Sequence, residues 1–186
     1  MIGVAVRTSQ PTLLTERLTL SELTVADTRL ILAIYNDPDF LANVGDRGLR
    51  TDQDAVAFIE DSPGTRYSEN GFGMCRVALA GDNTPIGLCG ILKRNELDDP
   101  DLGFAFLPEY RGRGYAFEAS AAVVADARQS LDVEKLLAIT NSGNERSIRL
   151  LERLGFRFDG MIDWSDDDER LRLFELVLRE NNERRC

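Results

Sequence analysis

The sequence contains no histidine, and that absence excludes several kinds of catalytic and metal site. A Ser-His-Asp triad, a Cys-His dyad and a histidine-ligated zinc ion all require an imidazole. Cysteine is scarce: Cys75, Cys89 and Cys186 are odd in number and lack metal-ligand spacing. Cys75 and Cys89 lie in apolar stretches, where a free cysteine acts as a small hydrophobic residue. We therefore predict a cytoplasmic protein without a disulfide framework and without a metal.

Long apolar runs are also absent, and positive charge is in deficit. No stretch approaches the ~18 apolar residues of a membrane span, and Met1 to Arg7 does not read as a targeting leader. The 32 acidic residues outnumber 22 basic ones, for a formal net charge of −10. Such a surface repels nucleic acid and anionic lipid and favours cationic partners such as amines. We expect neither a nucleic-acid-binding nor a membrane protein.

A chain of 186 residues is long enough for one compact domain with a sizeable core. We divide it into a lead-in (1–14), one domain (15–180) and a short tail (181–186). Hydrophobic periodicity predicts an α+β domain, and the elements follow. The predicted strands are 17–23, 73–80, 85–93, 101–107, 134–140, 156–164 and 171–178, and the predicted helices are 27–36, one from Thr51, 117–130 and 144–154.

A glycine-rich turn, Arg111-Gly112-Arg113-Gly114-Tyr115-Ala116, lies between a predicted strand and a predicted helix. Glycine permits backbone angles and close approaches that a side chain prevents. Free N–H groups at a helix start attract phosphate, and the two arginines add positive charge. An exposed basic turn, an RNA-binding Arg-Gly segment and a dinucleotide-binding turn are the alternatives. The full Gly-x-Gly-x-x-Gly motif is missing.

The turn resembles the (Gln/Arg)-x-x-Gly-x-(Gly/Ala) signature of the GNAT superfamily of N-acetyltransferases. The segment from Asn144 to Phe156, NERSIRLLERLGF, resembles the second cofactor segment of that superfamily. The stretches 15–20 and 114–119 are similar to the branch of ribosomal-protein N-terminal acetyltransferases, RimJ and RimL. The resemblance covers about Thr15 to Leu178. It implies a single domain with a central mixed, mostly antiparallel sheet of about six to seven strands and about four flanking helices.

The resemblance also implies acetyl-CoA as co-substrate and an amine-bearing acceptor such as a peptide N-terminus, an amino acid or a small amine. Backbone groups from Phe104 to Leu107, Phe106 included, would contact the pantetheine arm. The pyrophosphate would lie on the turn, and the helix starting at Asn144 would contact the arm. The predicted cofactor-binding residues are Phe104, Phe106, Leu107, Arg111, Gly112, Arg113, Gly114, Ala116, Asn144 and Ser147. A homodimer is a further expectation, because relatives often pair through sheet edges.

The catalytic residues are less sharply indicated. Leu151 stands where many relatives carry a tyrosine that protonates the thiol, so Ser147 is our candidate acid. Asp101 is our candidate general base, and Glu118 is the alternative. Structural roles are the alternatives for two of these residues. Ser147 could cap or pack, and Glu118 could brace its helix. The alternative function is therefore a non-catalytic regulatory module that binds acetyl-CoA.

Three further regions are candidates for contact with the acceptor. The acidic loop 165–169 could bind a cationic substrate, and the neighbouring Trp164 could line the substrate cleft, although packing is the alternative. The segments 36–50 and 62–71 are predicted as substrate loops.

Overall fold

The computed structural model describes residues 11–61, 67–164 and 169–179. Its strands are β1 (Leu13–Leu14), β2 (Leu18–Glu22), β3 (Met74–Leu79), β4 (Pro85–Leu92), β5 (Asp101–Phe106), β6 (Lys135–Asn141), β7 (Arg157–Trp164) and β8 (Glu169–Val177). Its α-helices are α1 (Thr28–Tyr35), α2 (Pro38–Val44), α3 (Asp52–Asp61), α4 (Tyr67–Asn70), α5 (Tyr115–Ser130) and α6 (Glu145–Arg153). Short 3₁₀ turns occupy Val25–Asp27 and Pro108–Tyr110.

The eight strands form one sheet in the order β1-β2-β3-β4-β5-β6-β8-β7. Neighbouring strands are antiparallel except β5 and β6, which are parallel. The predicted α+β class and the mostly antiparallel mixed sheet are confirmed. Within the described part of the chain, four helices have eight or more residues, namely α1, α3, α5 and α6.

Three short elements lie where the sequence analysis predicts irregular chain. Strand β1 lies within the predicted lead-in and pairs with β2. Helix α4 falls in the predicted loop 62–71, of which residues 62–66 lie outside the described residues. Helix α2 starts directly after α1, because Asp37 caps it by accepting from the Phe40 N–H and Pro38 occupies its first turn. Asp37-Pro38 therefore ends one helix and begins another.

Hydrophobic residues form a core on each face of the sheet. On one face, α5 and α6 pack against the strands through residues such as Val123, Ile148 and Phe174. On the other face, α1 and α3 bury a smaller cluster that includes Ile31 and Ala55. In the described residues, no helix is both long enough and apolar enough to cross a bilayer.

The capping box predicted at the start of α3 is present. The Thr51 N–H donates to Asp54 Oδ2 at 2.8 Å, and the Asp54 N–H donates to Thr51 Oγ1 at 3.2 Å. This reciprocal pair fixes the end of the segment between α2 and α3.

Candidate active site

Strands β5 and β6 separate soon after they meet. They share one register pair, Asp101 with Leu137, and the Leu137 N–H donates to the Pro100 carbonyl at 2.9 Å. Beyond that point β5 continues to Phe106 alongside β4 only. The two parallel strands therefore open into a wedge toward their carboxyl ends.

The direction of the backbone groups on β5 decides which residues face this wedge. The Leu107 N–H donates to the Ile86 carbonyl at 3.0 Å, on the β4 side. Because backbone groups alternate in direction along a strand, those of Phe104 and Phe106 point toward the wedge. The Phe106 carbonyl also accepts from Arg111 Nε at 2.8 Å. Of the predicted pantetheine contacts, Phe104 and Phe106 turn backbone groups to the wedge, whereas the Leu107 N–H is used within the sheet.

The glycine-rich turn has the geometry of an anion cradle. Gly112 and Gly114 have φ of +72° and +83°, a region that residues with a side chain rarely adopt. Gly114 is the N-cap of α5 and has no side chain with which to cap the first turn. A Cβ on Gly112 would meet nothing within 4 Å among the described residues. Helix α5 has 16 residues, and the N–H groups of its first turn include that of Ala116. The turn that precedes these N–H groups has open space at Gly112.

The two arginines of the turn differ in what they contact. Arg111 donates to Asp37 Oδ1 at 2.5 Å and to Asp39 Oδ2 at 2.8 Å, so its guanidinium is held by the start of α2. Arg113 lies on the ring of Tyr110, 5.8 Å from its centroid, and is exposed. Among the described residues, carboxylates therefore pair the charge of Arg111 but not that of Arg113. The charge role predicted for the Arg111 side chain stays a prediction, and its observed contacts are structural.

The second cofactor segment begins with a capped helix. Asn144 Oδ1 accepts the Ser147 N–H at 3.1 Å, which is the N-cap role open to asparagine. Asn144 and Ser147 both line the main cavity of the molecule. Leu151, one turn further along, is buried in the core and does not line this cavity. Ser147 is thus the hydroxyl that α6 presents to the cavity.

That cavity has a volume of about 410 Å³ and joins the wedge to the helices on the opposite side. One end is formed by β5, β6 and the start of α6. The other end is formed by α1, α2 and the segment following β4. Residues at this second end include Tyr35, Phe40, Arg47, Phe58, Arg94 and Glu96. We call the end at α1 and α2 the second compartment, and Asp101 lines the same cavity.

Asp101 is the buried carboxylate of this cavity. Its side chain is 1% exposed, and both of its oxygens accept from Arg94 Nε at 3.0 Å. Burial raises the pKa of Asp101 to about 6, although the Arg94 guanidinium opposes the rise. A carboxyl group with a pKa near 6 is a stronger base than an exposed aspartate and is still largely ionised at neutral pH.

Glu118 lies elsewhere, in a surface groove that Arg17 and Gly114 also line. It accepts from Thr15 Oγ1 at 2.6 Å and from Arg17 Nε at 2.7 Å. Burial tends to raise the pKa of Glu118, but the bonds from Thr15 and Arg17 lower it overall. Glu118 does not line the main cavity, so its contacts match the brace reading rather than the role of a base.

Trp164 lines the cavity, and the Arg94 guanidinium lies over its ring, 5.6 Å from the centroid. Residues 165–168 of the acidic loop lie outside the described residues, and Glu169 begins β8. The sequence analysis missed Arg94 and Tyr35. Neither belongs to a motif, and a signal existed only for Arg94, which follows a strand at the same sheet edge as Asp101.

The residues present fit coenzyme A. The wedge offers strand backbone groups, the turn offers a helix start without a side-chain cap, and the cavity connects the wedge to a buried carboxylate. These are separate features of the structure, and each suits a different part of a long ligand that ends in a thioester.

Comparison with known proteins agrees with this geometry. Residues 17–157 match the family model described as acetyltransferase (GNAT) domain. The uncharacterized N-acetyltransferase YnaD of Bacillus subtilis is 24% identical over 146 residues, covering 78% of this chain and 82% of YnaD.

Solved structures share the fold. The acetyltransferase of Agrobacterium tumefaciens superposes with a TM-score of 0.76 at 28% identity, over 90% of this chain and 95% of that one. The spermidine N-acetyltransferase of Vibrio cholerae, solved with CoA and spermine, has a TM-score of 0.73 at 16% identity, over 88% and 97%. The chain belongs to the GNAT acetyltransferase family and is an acetyl-CoA-dependent acetyltransferase.

Proposed function

We propose that this enzyme transfers the acetyl group to a primary amine by direct attack, with both substrates bound in the main cavity at once. The observation that carries this proposal is the position of Asp101, a buried carboxylate that lines the cavity at the point where β5 and β6 meet. An amine entering the second compartment would meet this carboxylate next to the wedge. Acetyl-CoA supplies an activated acyl carbon and a thiolate leaving group.

Asp101 acts as the general base in this proposal. The amine nitrogen forms a bond to the thioester carbon, the carbon–sulfur bond breaks, and the nitrogen gives up one proton to the carboxylate. Arg94 holds both carboxylate oxygens, so it fixes the orientation of the base and keeps its pKa from rising further. Backbone N–H groups of β5 that face the wedge are the donors available to the carbonyl oxygen.

Ser147 gives a proton to the departing sulfur. Its place on the cavity wall, one turn into α6, supports this role, and the Asn144 cap fixes the start of that helix. The buried Leu151 offers no hydroxyl, so the tyrosine of many relatives has no counterpart at this position. The sulfur leaves as a thiol, Asp101 then releases the amine's proton to water, and the Ser147 alkoxide takes a proton back from water.

Phe104 and Phe106 would hold the pantetheine arm through their backbone groups. The turn from Gly112 to Ala116 would hold the pyrophosphate, with Arg113 as the neighbouring cation. The sequence similarity of 15–20 and 114–119 supports a place in the RimJ and RimL branch. The acceptors that we propose, a peptide N-terminus, an amino acid or a small amine, all present a primary amine.

Thiol release from acetyl-CoA, measured with purified protein and a panel of N-terminal peptides, amino acids and amines, tests this proposal. We expect release to depend on an amine. Ser147→Ala should lower kcat at least ~10-fold with little change in acetyl-CoA affinity, and Ser130→Ala, a serine at the end of α5, is the matched control. Amine-independent hydrolysis, or binding of acetyl-CoA with no release for any amine, would refute the proposal and favour a non-catalytic binding module.

A further inference from the structure

The second compartment of the cavity carries a cation that the mechanism above does not use. Arg47 lines the cavity on the segment between α2 and α3. Its side chain is exposed and makes no hydrogen bond or ion pair with any residue within 11–61, 67–164 and 169–179. The other cations of the cavity are already engaged: Lys93 donates to the Leu97 and Asp98 carbonyls, and Arg94 holds Asp101. Among the cavity-lining cations that the structure describes, Arg47 is therefore the one that makes no hydrogen bond or ion pair within the described residues.

The chain around Arg47 is shaped to present it. Gly45 and Gly48 have φ of +93° and +71°, so the backbone turns sharply on both sides of the arginine. Asp46 closes the turn by accepting from the Gly48 N–H at 2.8 Å and from Arg50 at 2.5 Å. These contacts engage the residues on either side of Arg47 and leave its guanidinium to the cavity.

Arg47, Tyr35 and Asp101 all line one cavity. Burial raises the pKa of Tyr35 to about 12, and the guanidinium charges of Arg47 and Arg94 oppose the rise. Arg94 is in turn bonded to Asp101, and all four residues line the same cavity. A ligand that contacts Arg47 at one end can present its other end to the base.

The wall of the compartment is aromatic. The Tyr35 ring centroid lies 4.6 Å from that of Phe40 and 4.9 Å from that of Phe58, and all three rings line the cavity. Such a wall suits an apolar group on the acceptor. Glu96, exposed at the same end, adds an acid on the side of Asp101 that attracts an ammonium group.

We infer that the acceptor is a small amine that also bears a carboxylate and an apolar side chain, as in an apolar α-amino acid, with Arg47 binding the carboxylate. This inference rests on the proposed function and narrows its acceptor to one chemical class. A guanidinium forms two parallel hydrogen bonds with a carboxylate, so it fixes orientation as well as affinity. A polyamine would instead place further cations beside Arg47 and Arg94.

The test compares two acceptors that differ only in the carboxylate, and adds a polyamine. Initial rates are measured with L-phenylalanine, 2-phenylethylamine and spermidine, for the wild-type enzyme, Arg47→Ala and Arg47→Lys. The matched control is Arg29→Ala, which removes an exposed arginine of α1. Comparing variants on one acceptor cancels the differences in basicity between the amines.

We expect Arg47→Ala to lower kcat/KM for L-phenylalanine by about 10- to 100-fold, the usual range for one charge-assisted contact. The value for 2-phenylethylamine should stay within about twofold, Arg47→Lys should retain part of the activity, and Arg29→Ala should match the wild type. Equal effects of Arg47→Ala on both acceptors, or a wild-type preference for spermidine, would overturn the inference.

A binding measurement separates this inference from the proposed function. Calorimetric titration of L-phenylalanine into the CoA-loaded protein requires no turnover. Binding that is lost in Arg47→Ala supports the carboxylate site even if no acceptor is acetylated, whereas absence of binding to the wild type overturns it.

Discussion

Asp101 combines two features that oppose each other in their effect on its charge. Burial favours its neutral form, and the hydrogen bond that Arg94 Nε shares between its two oxygens favours its ionised form. The first effect is the larger, so the pKa of Asp101 rises to about 6 in spite of the ion pair. This balance leaves the carboxylate ionised at neutral pH but readily protonated.

At the residue scale, we predict that kcat/KM for an amine rises with pH through an apparent pKa of about 6. Below this pH Asp101 is protonated and cannot accept a proton; above it the base is available. Arg94→Met should move this midpoint to higher pH, because the cation that opposes the rise in pKa is lost. Asp101→Asn should abolish the dependence. The same amine is used for every variant, so that the titration of the amine itself cancels in the comparison. A rise of kcat/KM near pH 6 that survives in Asp101→Asn would contradict the assignment of the base to Asp101.

The start of α5 depends on a backbone conformation more than on any side chain. Gly114 lies at φ +83°, and a Cβ added there would lie 3.4 Å from an Arg17 nitrogen. A larger or charged side chain would project from the turn that opens the helix. At the scale of the element, the predicted anion site is thus formed by the junction between the turn and α5.

We predict that Gly114→Glu abolishes coenzyme A binding, because it places bulk and negative charge against the pyrophosphate. Gly81→Glu is the control, since Gly81 lies in the β3–β4 turn with nothing within 4 Å of an added Cβ and the change in charge is the same. Affinity is measured by calorimetry with coenzyme A. Unchanged affinity in Gly114→Glu would place the phosphate elsewhere.

Arg111 connects two elements that are distant along the chain. It joins the strand end at Phe106 to Asp37 and Asp39 at the start of α2. The Asp37 side chain is 7% exposed and that of Asp39 is 65% exposed, so we expect the two ion pairs to contribute differently to the free energy of unfolding. The glycine-rich turn and the start of α2 are therefore linked by one side chain.

We predict that Arg111→Met lowers the free energy of unfolding by about 2 to 3 kcal/mol, because it leaves the nearly buried Asp37 carboxylate without its cation. Asp39→Asn removes only the exposed pair and should cost less than about 1 kcal/mol. Urea denaturation of the two variants compares these costs. Equal destabilisation would mean that the Asp37 pair adds nothing beyond a surface contact.

At the scale of the whole molecule, the two ends of the sheet differ in what they expose. Strand β7 ends the sheet order and carries Phe158, 50% exposed, and Met161, 37% exposed, whereas the opposite end is the two-residue β1 with Leu14. An edge strand of eight residues with apolar side chains is suited to pairing with another chain. The expected homodimer would therefore form at β7.

We predict that the wild-type protein sediments as a dimer and that Phe158→Glu converts it to a monomer. Leu14→Glu introduces the same charge at an exposed leucine of the opposite edge and should leave the dimer intact. Analytical ultracentrifugation at micromolar concentrations measures the mass. A monomeric wild type, or dissociation caused by Leu14→Glu alone, would contradict a β7 interface.

The sequence by itself determined the features that depend on neighbours in the chain. Periodicity and caps placed β2 to β8 and the four longer helices, and the glycine-rich turn marked the start of α5, because each is encoded within a few residues. The acetyl-CoA co-substrate followed from two motifs in the correct order, and the family match confirms it. Helix α2 escaped prediction because Asp37-Pro38 reads equally well as a stop and as a cap.

Only the tertiary structure decided which side chains meet across the cavity. Arg111 contacts Asp37 across 74 positions, and that contact gives a residue predicted to bind phosphate a structural role between elements as well. Glu118 bonds to Arg17 across 101 positions, away from the cavity, whereas Asp101 is buried against Arg94. Such long-range contacts depend on how the sheet and helices pack, and no local pattern in the chain encodes them.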